Sequence, residues 1–89
     1  MATIIKSNDS TENIEPANGK VFTLEELQKA IGGYIKIISI NSGEYNGKFM
    51  IVDEEGLLNP NPQLNIEASK IVGYRIVGNV VIIDKDQIV

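Results

Sequence analysis

The chain contains no cysteine and no histidine. Without cysteine there are no disulfides and no thiolate metal sites. Without histidine the commonest general base and the commonest metal ligand are both gone, so zinc is not expected and Ser-His or Cys-His triads are impossible. Basic charge is also scarce. Eight Lys plus Arg, of which Arg75 is the only arginine, stand against twelve Asp plus Glu, for a net charge of −4. A duplex DNA binder needs a basic face to displace counterions, and these scattered cations do not supply one. The carboxylates are in turn too dispersed to imitate DNA. No apolar run approaches the ~20 residues of a membrane span. Met1-Ala2-Thr3 opens no basic-then-apolar leader. The expectation is a cytoplasmic protein with no membrane and no duplex nucleic-acid partner.

What remains is a chain of 89 residues, 43% hydrophobic and 22% charged. That is globular composition and enough chain for one thin core. Residues 2–6, ATIIK, read as a strand, and Ser7 to Asn13 as a polar, turn-prone stretch. Asn18-Gly19 is a tight-turn signal. Residues 1–20 therefore form a strand or loose hairpin arm, or a partly ordered one, with Lys20-Val21-Phe22 the favoured return strand. Residues 21–89 form the core of the single domain.

A helix with marked ends follows. Thr23 and Glu26 make a capping box, Leu24, Leu27 and Ile31 an apolar stripe, and Gly32-Gly33 a stop. Tyr34 to Ile40 and Lys48 to Val52 read as an antiparallel hairpin around the loop NSGEYNG. Asn61-Pro62 reads as the start of a second helix, with Leu64, Ala68, Ile71 and Val72 on its apolar face and Gly73 at its end. A final strand, roughly Arg75 to Asp84, is interrupted at Gly78-Asn79. The expected fold is α+β: a mostly antiparallel sheet with two short helices on one face, in the order β(β)αββαβ.

The segments LEELQKAIGGYIKII, VDEEGLLNPNPQLNIEASKIVG and RIVGNVVII resemble a domain-of-unknown-function family of small proteins, frequent in phages, prophages and plasmids of Gram-positive bacteria. The likeness rests on Gly32-Gly33-Tyr34-Ile35, Glu54-Glu55-Gly56, the Pro62-x-x-Asn65-x-x-Ala68 spacing and Ile76-Val77-Gly78, and covers about residues 21–84. The second helix departs from it: relatives are more often basic there, where this chain has Ile66-Glu67-Ala68-Ser69. The resemblance brings no assigned active residues.

Arg75, beside Tyr74, offers a planar cationic fork next to an aromatic ring, a combination suited to phosphate or nucleotide; the alternative is a strand-edge arginine paired with a surface carboxylate. Tyr34 follows two glycines, where a ligand can approach the backbone, or else packs on the helix. Tyr45 lies at a loop tip, as a recognition residue or folded back on its hairpin. Asp53, Glu54 and Glu55 lack the alternating spacing of a calcium loop and read as a solvated turn. Asn65 matches the family spacing and suits bonding to loop backbone.

No metal, cofactor or catalytic residue is expected. The leading expectation is a non-enzymatic binding protein of a phage or mobile element, in the host cytoplasm, which counters host defence by holding a small anionic, nucleotide-like ligand. Its candidate contacts are Arg75, Tyr34, Tyr74, Lys36 and Asn65, in a homo-oligomer. The alternatives are a module that masks a host protein, with its acidic loops as the contact, and a structural accessory domain.

Overall fold

A computed structural model describes residues 2–17, 19–58 and 62–88 of the chain. Strands β1 (Ala2–Ile5) and β2 (Thr11–Ile14) precede helix α1 (Leu24–Ile31), strands β3 (Ile35–Ser39) and β4 (Phe49–Asp53), helix α2 (Ile66–Val72) and strand β5 (Val80–Ile83). Short 3-10 turns cover Gly56–Leu58 and Lys85–Gln87. The five strands form one sheet in the order β2-β1-β5-β4-β3, antiparallel at every junction. The fold is α+β in the expected element order.

The core divides by strand parity. Side chains alternate between the two faces of a sheet. One face gathers Ile51, Val81 and Ile83 with Phe22 and with Leu27, Ala30 and Ile31 of α1. The other gathers Met50, Val52, Val80 and Ile82 with Ala68, Ile71 and Val72 of α2. The two helices thus cover opposite faces, which corrects the expectation that both lie on one. The physical reason is in β5 and β4: Val80–Ile83 is apolar and buried at every position, as are Met50, Ile51 and Val52. A strand apolar on both sides needs a cover on both sides.

The first two strands are built into this frame rather than attached to it. β1 lies between β2 and β5, with Ala2 and Ile5 in the core. The strand returning from β1 is Thr11–Ile14, not Lys20-Val21-Phe22. Its turn closes through Lys6 N–H to Ser10 O at 2.8 Å, with Asp9 at φ 71° and the Asn8 side chain accepting from Ser10. Phe22 instead makes a single parallel bridge to Ile88 and is buried. Asn18 lies outside the described residues, while Gly19 takes φ 73°.

The α1 capping box forms as read: Glu26 N–H donates to Thr23 Oγ1 at 3.2 Å and Thr23 N–H to Glu26 Oε1 at 3.1 Å. Gly32 closes the helix in the left-handed conformation. Ile40 is opposed by both Gly47 and Lys48, a bulge that the φ of 89° at Gly47 makes possible. The second helix starts later than expected, at Ile66 with Asn65 as its cap. Asn61 lies outside the described residues, and Leu64 precedes the helix, bridged to Val77. The final strand is confined to Val80–Ile83, past the break at Gly78, and Arg75 is in the link before it rather than on a strand. Among the described residues no helix is long and apolar enough to cross a membrane.

Candidate functional site

Among the described residues, Asn65 is the one buried polar residue of the core. Both its amide hydrogens are used, to Ile5 O and Gly78 O at 2.9 Å each, and its Oδ1 accepts Ala68 N–H at 3.0 Å. Its backbone N–H reaches Ile76 O at 2.9 Å. A buried amide so engaged ties β1, α2 and the 76–78 link together and has no donor left for a ligand. Ser69 reinforces the same joint, its Oγ accepting Ile76 N–H at 2.8 Å. The Pro62-x-x-Asn65-x-x-Ala68 spacing therefore has a folding explanation: cap residue and capped N–H stand three apart.

Three of the remaining candidates do meet. Lys36 projects from β3 on the α2 face, and Tyr74 and Arg75 occupy the link that leaves α2 at the left-handed Gly73. All three are exposed and line one cleft of about 130 Å3 floored by Val52 and Ile76. Neither cation has an ion-pair or hydrogen-bond partner among the described residues. Arg75 is thus not the strand-edge arginine paired to a carboxylate. Asp53 and Glu54 line the same cleft, a contribution that sequence spacing did not reveal because the β3–β4 register brings Lys36 beside Val52.

Tyr74 and Ile38 border a second depression as well, about 320 Å3, running between Ile71-Val72 and Ile40-Asn41-Ser42. The cleft of Lys36 and Arg75 thus adjoins a roomier recess at an exposed aromatic ring, Tyr74 being 53% accessible.

Tyr34 is elsewhere. It is 66% exposed and lines an open depression with Gly32, Gly33, Asp53, Glu55 and Leu58, separated from Arg75 by Asp53, which borders both. Asp53 also shapes the acidic turn, its Oδ1 accepting Glu55 N–H at 2.9 Å. Among the described residues no three Asp or Glu side chains are grouped to hold a metal ion. Tyr45 is folded back, half-buried against the α2-side core. It borders a recess of about 240 Å3, whose one cation, Lys70, lies 3.8 Å from Glu67.

One carboxylate is electrostatically tuned. The Ala17 N–H, then the Thr23 N–H, donate to Glu26 and hold its pKa below the ordinary glutamate value. Its role is at a helix start, and it lines none of the clefts described above.

Fold and site together define a small α+β domain with a solvent-open cleft lined by two cations, two carboxylates and an exposed tyrosine. The family model for the domain of unknown function DUF3846 matches residues 2–88, and the chain belongs to that family. The match takes in β1 and β2 as well as the segments after Val21, in keeping with their place inside the sheet. No curated protein and no solved structure matches the chain.

Proposed function

We propose that the protein is a non-enzymatic binder of a small anionic, nucleotide-like ligand. The carrying observation is that Lys36 and Arg75, from β3 and from the link after α2, converge unpaired on one cleft beside the exposed Tyr74. An unpaired guanidinium beside an aromatic ring suits phosphate and stacked-ring chemistry. The cleft is below the ~300 Å3 at which sites for whole small molecules begin. It therefore takes one anionic group, and the recess beyond Tyr74 receives the rest of the ligand. Asp53 and Glu54, which line the same cleft, select for a ligand that also carries donors, such as a base or ribose, over a bare polyanion. The resemblance to phage and plasmid proteins supports a setting in the host cytoplasm, where holding a nucleotide signal would blunt host defence.

A thermal-shift screen of the chain with a nucleotide panel tests this. Stabilisation by at least one phosphate-bearing member, abolished in Arg75→Ala, is expected. No shift with any member, and no difference for Arg75→Ala, would sink the small-ligand reading.

A second reading is favoured by a separate observation. Tyr34 and Leu58, 66% and 79% exposed, line one open depression with Asp53 and Glu55. An apolar pair with acidic neighbours is a surface for a protein partner, and on this reading the domain masks a host protein. Recovery of a stoichiometric host protein, lost on Leu58→Asp, would support it over the first.

A further inference from the structure

The sheet has two open edges of unlike character. β2, at one end, reads Thr-Glu-Asn-Ile, and Glu12 pairs with Lys6 at 3.3 Å. Polar, charged side chains are the usual protection of an edge. β3, at the other end, reads Ile-Lys-Ile-Ile-Ser, and its Ile37 is 47% exposed.

The hydrogen-bond parity of β3 is determined by its ends. Glu54 N–H donates to Tyr34 O, and Ile40 N–H to Lys48 O, so the even-numbered residues turn their backbone toward β4. In an antiparallel pair this alternates strictly. Ile35, Ile37 and Ser39 therefore direct N–H and C=O outward, and none of these groups has a partner among the described residues. Two copies of such an edge can pair antiparallel only in registers that set odd residues opposite odd ones. Centring on Lys36 brings two lysines face to face, a like-charge contact that opposes pairing. Centring on Ile38 leaves Ile35 opposite Asn41, beyond the end of the strand. Centring on Ile37 matches Ile37 with Ile37 and Ile35 with Ser39, uses every outward group, and sets Lys36 opposite Ile38 with no like charges facing.

We propose that the protein forms a two-fold homodimer through β3, centred on Ile37, which joins two sheets into one continuous sheet. The edge is self-complementary in this register, each outward N–H and C=O of Ile35, Ile37 and Ser39 meeting its counterpart, and this selects a second copy as the occupant. Such a two-fold axis stands perpendicular to the sheet, so both α2 faces lie on the same side. Ile38 of each copy then sits directly opposite Lys36 of the other. Since Lys36 and Ile38 both line the cation cleft, each cleft is completed by a residue of the second copy. This last consequence rests on the anion-binding reading above; the pairing does not.

The pairing is tested by light scattering on the full chain across a dilution series, with a thiol cross-linking arm. The expected mass is twice the 9.8 kDa of the chain, falling to that of the monomer in Ile37→Lys with the far-ultraviolet circular dichroism unchanged. Because the chain has no cysteine, Ile37→Cys and Lys36→Cys each introduce a single thiol. Oxidation should link the Ile37→Cys variant across the axis and leave the Lys36→Cys variant mostly unlinked. A monomeric wild-type mass at every concentration overturns the proposal, as does a dimer that links through Lys36→Cys instead. A monomer that still binds phosphate-bearing ligand would remove the dimer and leave the cleft reading standing. A dimer that binds none would do the reverse.

Discussion

At the residue scale, two positions show how little of the fold is decorative. Gly56 has no special backbone angle, yet a Cβ there would lie 2.7 Å from Val77 Cγ2. Val77 is buried and β-branched, so it cannot swing aside freely. Gly56→Ala should destabilise by roughly 1–3 kcal/mol, as overpacking does, measured as a lowered urea midpoint at unchanged slope. Asn65 is the second case. Asn65→Ala removes a helix cap and takes away the side-chain donor shared by two carbonyls, Ile5 O in the core and the part-buried Gly78 O. The expected loss is about 2–4 kcal/mol. Asn65→Asp should be no rescue, since a carboxylate would face those carbonyl oxygens with no hydrogen to give. An Asn65→Asp variant as stable as the wild type would refute this account of the joint.

At the element scale, α1 owes its start to a carboxylate whose charge is engaged. Glu26 accepts from Ala17, then from Thr23, and its pKa lies below the ordinary value. A folded pKa lower than the unfolded one gives stability that is present above the unfolded pKa and lost as pH falls through the folded one. The wild type should therefore lose stability on acidification below about pH 4.3, the ordinary glutamate value. Glu26→Gln, which cannot ionise, should show a flatter profile in chemical denaturation over the same range. A profile identical in the two proteins would contradict it.

The elements also show what could be read in advance. The α1 cap, the β3–β4 hairpin and the break at Gly78 are local signals carried by adjacent residues, and they were legible. Less legible was β2, because an edge strand with Glu12 and Asn13 outward has no apolar alternation to betray it. The α2 start was ambiguous because Asn61 and Asn65 have the same capping chemistry, and burial at Asn65 is a tertiary fact. The two-sided cover was in principle visible: Val80–Ile83 is apolar without alternation, which demands helices on both faces. Among the site residues, Tyr74 and Arg75 are neighbours in sequence, but Lys36 joins them only through the sheet register and the path of the link after Gly73.

At the scale of the whole molecule, the account joins a cleft to an edge. The cleft of Lys36 and Arg75 sits on the α2 face at the open β3 side of the sheet, so the strand that carries Lys36 also carries the outward backbone groups of the edge. The central claim is that this cleft binds an anionic group. The most direct measurement is a titration of the isotopically labelled chain with a phosphate-bearing nucleotide, followed by two-dimensional amide nuclear magnetic resonance. Saturable shifts confined to Lys36 and residues 38–42, 52–54, 71–72 and 74–77, the linings of the cleft and of the recess beside it, lost in Arg75→Ala, are the predicted result. Spectra that stay unchanged to the end of the titration, or shifts that map to another part of the chain, would contradict it.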